Sequence, residues 1–495
     1  MPNNALMNTV AAISSNTFLL IVSLLYLITA VFLCLVIIFE NRSPVKTLAW
    51  VLVVILVPVI GIVLYLMFGQ YYRKNKIFSR KGLTDTNFLA RAAVQQIVSL
   101  KERLRDKSAA VKSKSHLIRL MINNEKTVLT EKNSVDLLIN ASQAFPAMIE
   151  AIERAKEFIH LEFYRFDIDD TGNSFRYALM KKAREGVEVR IIMDDVGSWS
   201  FKRKYIREMR DAGVRIFPFL PVRFPFVTTK LNYRNHRKIL VVDGVEGYMG
   251  GLNIADKYIH GHSEIGPWRD THIRILGEAV AALNMVFLTD WFFVCGELLT
   301  TEPGYLRQEP VDNNCWIQIA ESGPDSDWAA IMQVYFSAIA TANECIYLST
   351  PYFSPNESIL TALKTAALSG VDVRLILPDK SDSVIGSWNS RSYIEELLDS
   401  GVRIYLYKTG FNHAKYILVD NVFASVGSVN VDIRSFDMNF EVTALIYDEE
   451  FAARLHDSFI EDIKNSSEVI PEFWKGRRRS ERHRESLARV FGPLY

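Results

Sequence analysis

"NYRNHRKILVVDG", residues 232–244, returns in altered form as "GFNHAKYILVDN", residues 410–421. Each copy sets a histidine and a lysine two residues apart, enters an apolar run of the kind that forms buried strands, and reaches an aspartate at a turn. His236 and His413 are 177 residues apart, and Gly251-Leu-Asn253 and Ser428-Val-Asn430 keep that spacing. The surroundings repeat as well. "AIERAKEFIHLEFY" from Ala151 matches "AIATANECIYLSTPYF" from Ala338, "GVEVRIIMDD" from Gly186 matches "GVDVRLILPD" from Gly370, and "AGVRIFPF" from Ala212 matches "SGVRIYLY" from Ser400. In each pair a helical stretch precedes a buried strand, and a Gly-Val often opens that strand. Alternating helices and strands predict an α/β layer fold. The recurrence predicts two related domains of that kind.

The chain has 495 residues, room for two or three domains. Hydrophobic residues make up 49%, and the excess sits at the N-terminus. Residues 18–39 and 47–68 carry no charged side chain, and each run is long enough to span a bilayer as a helix. They predict a tight hairpin. Arg73, Lys74, Lys76, Arg80 and Lys81 follow it, against Arg42 and Lys46 in its loop, which places the rest of the chain in the cytoplasm. Cys34, Cys295, Cys315 and Cys345 have no close-paired spacing and read as buried thiols rather than a zinc or disulfide framework. A formal charge of +1 gives no general field for nucleic acid. One basic run, Lys475 to Arg484, reads as a solvated helix face or as a contact for anionic headgroups. The first copy also carries an insert, residues 218–231, rich in Phe and Pro, which reads as a packed loop or a lipid-facing one.

Residues two apart on a strand share a face, so His236 points with Lys238 and His413 with Lys415. Asp243 and Asp420 fall an odd number of positions further on, at turns, which makes them supports rather than partners. Two His-Lys pairs closing on one site suit phosphodiester chemistry. The lysines neutralise phosphate oxygens, one imidazole attacks phosphorus, and the other protonates the leaving alcohol. Asn253 and Asn430 add neutral donors. Such a site needs no metal and no cofactor, and the sequence holds no metal-ligand cluster. A nucleophilic imidazole needs an acceptor on its other nitrogen. Asp270 in "PWRDTHIRI" and Glu441 in "MNFEVTALI", similarly placed before strand-like runs, are the candidates. His260, His262 and His272 have no repeat partner and read as structural or peripheral.

"HRKILVVD…GGLNIADKY" and "HAKYILVD…GSVNVDIRS" resemble the paired signature of the phospholipase D superfamily. With the hairpin, "PWRDTH" and the tail "ESLARVFGPLY", nearly the whole chain resembles bacterial cardiolipin synthases of that type. The resemblance implies two pseudo-symmetric domains, 131–305 and 306–470, each a mixed sheet flanked by helices. A transmembrane hairpin (1–72) and a linker with helical pieces (73–130) precede them, and a basic tail (471–495) follows. It implies reversible transfer of a phosphatidyl group from one phosphatidylglycerol to another through a phosphohistidine, giving cardiolipin and glycerol. His236 would then be the nucleophile and His413 the acid and base. Lys238, Lys415, Asn253 and Asn430 would hold the phosphate. Asp243 and Asp420 are conventionally counted with the active residues. The alternatives are hydrolysis, another alcohol acceptor, a nuclease, which the charge and hairpin disfavour, and a membrane scaffold with a degenerate site. Sequence leaves open which histidine attacks, the oligomeric state and any regulation.

Overall fold

The computed structural model describes residues 3–39, 44–57, 59–65, 99–100, 102–125, 127–222, 232–299, 304–326, 329–490 and 492. The chain divides into two compact units, Met1–Ser79 with Arg223–Asn232, and Arg80–Val222 with Tyr233–Tyr495.

The first unit holds a long helix, Asn3–Phe39, and a shorter one, Pro44–Leu56. Within the long helix, Leu20–Phe39 is long and apolar enough to cross a membrane. Ala30, Leu33 and Ile37 bury against Val54 and Tyr65, and the Tyr26 hydroxyl donates to the Val54 carbonyl at 2.8 Å. Leu20, Leu24, Leu27 and Val31 stay exposed, an apolar surface of the sort a bilayer covers. The second apolar run differs from expectation. Among the described residues it runs as a helix to Leu56 and resumes as Ile60–Leu64. The sequence has a proline at 58, which supplies no N–H to a helical ladder, and Val59 follows at φ 65°. Residues 66–68 and the basic flank at 73–81 lie outside the described residues.

The second unit is built on two mixed sheets. The strands of this unit are β1 Asn133–Ile139, β2 Phe158–Phe163, β3 Glu188–Asp194, β4 Arg215–Phe219, β5 Lys238–Val242, β6 Glu246–Gly250, β7 Trp268–Arg269 and β8 Thr271–Gly277 in the first copy. The second copy supplies β9 Trp316–Ser322, β10 Cys345–Ser349, β11 Phe353–Ser354, β12 Asp372–Pro378, β13 Arg403–Tyr407, β14 Phe411–Asn412, β15 Tyr416–Val419, β16 Phe423–Gly427, β17 Val431–Asp432, β18 Glu441–Tyr447 and β19 Ser466–Glu468. β7 and β14, and β11 and β17, pair apart from the two main sheets. One sheet runs β1-β8-β6-β5-β2-β3-β4 and the other β9-β18-β16-β15-β10-β12-β13-β19. Strand for strand the orders match, with β19 added at one edge. In both, the β2–β3–β4 and β10–β12–β13 steps are parallel and the steps from β1 to β2 and from β9 to β10 are antiparallel.

The recurring Gly-Val has a local cause. Gly186, Gly213, Gly370 and Gly401 stand at φ between 91° and 96°, where a helix has just ended and the next residue opens a strand. Only glycine takes that left-handed turn without strain. The inner faces of both sheets share one core with helices Ala279–Cys295 and Glu449–Lys464. Asn140–Arg154 and Asp170–Arg184 cover the outside of the first sheet, and Ala330–Ala340 and Glu357–Leu368 that of the second.

Two segments are more integrated than the sequence suggests. The end of the expected linker, Ser115–Glu125, buries Leu117, Ile118, Met121 and Ile122 in the outer core of the second sheet. The basic C-terminal segment folds back as Arg479–Val490 against the helix Val384–Arg391. There Arg477 pairs with Glu485, Arg482 with Glu395, Arg489 with Glu396 and Lys475 with Asp399, so much of its charge is spent internally. Of the cysteines, Cys315 and Cys345 are buried, Cys34 and Cys295 are partly so, and all four are free. The insert is described only to residue 222.

Candidate active site

Each histidine stands just ahead of its strand rather than in it, on a segment held by the other copy. Before His236, residue 235 bridges to Phe440, and the His236 amide donates to the Phe440 carbonyl at 2.9 Å. Before His413, β14 pairs in parallel with β7, and the His413 amide donates to the Arg269 carbonyl at 2.6 Å. Phe440 and Arg269 are the residues immediately before Glu441 and Asp270. The backbone exchange therefore brings each histidine to the carboxylate of the opposite copy.

The side chains complete that exchange. His236 Nδ1 lies 3.0 Å from both carboxylate oxygens of Glu441. His413 Nδ1 lies 2.6 Å from Asp270 Oδ2. With Nδ1 engaged, Nε2 is the nitrogen left to each imidazole for the cavity. Local sequence explains why one acceptor is Asp and the other Glu. A Cβ at Gly251 would stand 2.0 Å from Asp270 Oδ1, so the bare glycine admits that carboxylate. The equivalent Ser428 instead donates its hydroxyl to Glu441. Asn235 and Asn412 brace both turns alike, each accepting from the amide two residues on at 3.1 Å.

His236, His413, Asn253 and Asn430 line one cavity of about 440 Å³. The lysines lie behind that lining. Lys238 Nζ donates to the His236 carbonyl at 2.6 Å, and Lys415 Nζ to the His413 carbonyl at 2.5 Å while standing 3.0 Å from His413 Nδ1. Asn253 accepts from the Arg165 amide at 3.2 Å and donates to the Tyr258 hydroxyl at 2.6 Å. Asn430 Oδ1 is buried with no hydrogen-bond partner among the described residues. Asp243 and Asp420 are not in the lining. Asp243 accepts from the amides of Lys156, Glu157 and Phe158 at 2.8–2.9 Å, at the entrance to β2. Asp420 accepts from the amides of Asn343, Glu344 and Cys345 at the entrance to β10, and from Lys114 Nζ at 2.6 Å. Both sit at φ 52°, the turn geometry the strand parity anticipates.

Burial sets the protonation. Desolvation pulls His236 down to about 4, against the opposing pull of Glu441, and takes His413 well below its ordinary value with Lys415 adding to the effect. Lys415 falls to about 8 and Lys238 well below its usual range, again through burial. The Asp270 carboxyl is pushed up by the same cause. The resting site thus presents neutral imidazoles, able to act as nucleophile or base, over buried amines that an incoming anion would keep charged.

Four further cations reach the cavity: Arg165, Arg234, Lys257 and Arg434. Arg165 pairs with Asp167 at 2.6 Å and buried Arg234 with Asp194 at 3.2 Å. The signal for the other two was in the repeat. Lys257 and Arg434 are themselves 177 residues apart, each four residues beyond its copy's asparagine. His272 is buried, with neither ring nitrogen hydrogen-bonded among the described residues, while His260 and His262 are exposed.

Two like mixed-sheet halves that cross-brace a pair of His-x-Lys histidines over one cavity form the architecture of the phospholipase D class. The phosphatidylserine synthase of Haemophilus influenzae Rd KW20 shares the fold, with a TM-score of 0.58 at 14% identity, covering 77% of this chain and 98% of that one. Residues 148–291 and 335–463 match the family described as "Cardiolipin synthase, PLD-like domain", and residues 21–70 match "Phospholipase_D-nuclease N-terminal". "Cardiolipin synthase 2" of Bacillus cereus is 41% identical over 474 residues, 95% of this chain and 90% of the relative. "Major cardiolipin synthase ClsA" of Bacillus subtilis is 38% identical over 473 residues, 95% of this chain and 98% of the relative. The chain belongs to the PLD-like cardiolipin synthase family.

Proposed function

We propose that this protein is a cardiolipin synthase, transferring the phosphatidyl group of one phosphatidylglycerol to the terminal hydroxyl of a second and releasing glycerol. The names of its relatives support the substrate class. The observation that carries the chemistry is the crossed bracing of His236 by Glu441 and His413 by Asp270 at one cavity.

In this reading neutral His236 attacks phosphorus through Nε2. The phosphorus–oxygen bond to the headgroup glycerol breaks, and His413 gives that oxygen its proton. Binding of the anionic phosphodiester raises the proton affinity of His413, which lets it carry the proton into the step. The 2.6 Å contact with Asp270, shorter than the 3.0 Å contact at Glu441, favours His413 as the proton carrier. After glycerol leaves, the hydroxyl of the second lipid loses its proton to His413. Its oxygen attacks phosphorus and the phosphorus–nitrogen bond breaks. Lys238 and Lys415 supply positive charge behind the phosphate, and Asn253 and Asn430 face it from the lining. Asp243 and Asp420 act only by holding the entrances to β2 and β10. Residues 131–305 and 306–470 are then two halves of one site. The N-terminal apolar segment anchors the protein as a two-pass hairpin with those halves in the cytoplasm, so a diacyl substrate never leaves the bilayer.

The test is the full chain in detergent, given phosphatidylglycerol with a chelator present. Cardiolipin and glycerol in equal amounts are expected. Phosphatidic acid as the sole product would replace this reading with hydrolysis, and complete loss on chelation would overturn the metal-independent route.

A further inference from the structure

We infer that Lys257 recognises the phosphate of the acceptor lipid, an anionic subsite separate from the phosphate that reacts. The inference rests on the function proposed above. In the second half-reaction two phosphodiesters share the site. One is bonded to His236, and the other sits three carbons along the glycerol from the attacking hydroxyl. The proton of that hydroxyl goes to His413, so the acceptor enters from the His413 side.

Lys257 is the cation built for that side. Its ammonium lies 4.6 Å from the centre of the Trp268 ring and 5.4 Å from that of Tyr258. Both rings border His413, at 6.1 Å and 5.7 Å between centres. Aromatic faces steady a cation while leaving its N–H groups free to donate. Lys257 lines the cavity and forms no ion pair among the described residues, whereas Arg165 and Arg234 are committed to Asp167 and Asp194. Its repeat counterpart, Arg434, falls on the other side. Arg434 Nε donates to Asn439 Oδ1 at 3.4 Å, and Asn439 donates on to Glu441, the partner of His236. Neither cation forms an ion pair among the described residues, and the two are crossed in the same way as the two carboxylates, one beside each histidine. Cardiolipin, two phosphates about a central glycerol, has the matching near-twofold form.

The subsite separates acceptors by charge. A second phosphatidylglycerol carries the anion that Lys257 meets, and free glycerol does not. Exchange of labelled glycerol into phosphatidylglycerol, the reverse of the first half-reaction, uses the same histidines without an acceptor phosphate. The experiment compares cardiolipin formation with glycerol exchange for the full chain and for Lys257→Met and Lys257→Arg. For Lys257→Met the ratio of cardiolipin formed to glycerol exchanged is expected to fall at least about tenfold, the scale of one lost charged hydrogen bond. Lys257→Arg is expected to restore most of it. Equal loss of both reactions would overturn the inference by assigning Lys257 to the reacting phosphate or to folding, and an unchanged ratio would overturn it too. A wild-type chain that makes no cardiolipin yet exchanges glycerol would instead remove the proposed function.

Discussion

In a His413→Ala background the phosphatidyl adduct on His236 should form slowly and persist, because the group that delivers the second hydroxyl is gone. Adding Glu441→Gln to that background removes the charge behind His236 while keeping the length of the side chain. The carboxylate is fully buried and lies 3.0 Å from Nδ1 through both oxygens. Once Nε2 bonds to phosphorus the ring is cationic, and Glu441 is the anion that faces it. A hydrogen bond to a charged group contributes about 1.5–3 kcal/mol, so adduct formation should slow roughly 10- to 150-fold. Asp270→Asn in the same background should change the rate by less than about threefold, because its imidazole partner is already absent. The assay uses phosphatidylglycerol labelled in its phosphate, alkaline quenching and counting of label held by the protein. Slowing by Asp270→Asn equal to that by Glu441→Gln would refute the crossed pairing as a functional unit. Adduct in His236→Ala rather than His413→Ala would reverse the two roles.

Other outcomes follow from the same geometry. Asp243→Ala leaves three strand-entry amides without their acceptor, which should cost about 2–3 kcal/mol and lower Tm, with chemistry per folded molecule retained. At Asp420 burial pushes the carboxyl up, but the Lys114 ammonium and the backbone amides outweigh it and hold it below its ordinary value. That contribution is present above the unfolded pKa and lost as pH falls through the folded one, so Asp420→Asn should flatten the acid limb of a Tm-against-pH curve. For activity, kcat/KM should fall as pH drops through about 4, where His236 gains a proton; above that it should decline as His413 loses the proton it must deliver, and more steeply above about 8, where Lys415 loses its charge. Lys415→Arg should move the upper limb to higher pH, and an unmoved limb would assign it elsewhere.

The sequence carried the duplication and the site's inventory because both reside in local pattern. The 177-residue offset tied His236 to His413 and Asn253 to Asn430, and a strand's twofold periodicity turned Asp243 and Asp420 away from the histidines. Which carboxylate meets which imidazole was not legible, since it depends on how the two sheets pack. The spacing also shifts there: Asp270 follows Asn253 by 17 positions and Glu441 follows Asn430 by 11. Lys257 and Arg434 kept the offset and could have been read, but a lone cation after an asparagine has no pattern of its own. Periodicity placed the lysines with the histidines but gave no depth, and they lie beneath the lining instead of within it. The break after Leu56 was marked by Pro58, masked by the unbroken apolarity around it.

The crossed carboxylates also bear on the order of synthesis. A ribosome delivers His236 long before Glu441, so a chain whose first half has folded holds a histidine with no acceptor behind it. On the roles proposed above, reactivity toward lipid would be withheld until Glu441 takes its place in the second sheet. A truncated or misdocked chain would then lack the means to cleave phospholipid without resealing it, a safeguard that two self-sufficient halves would not have.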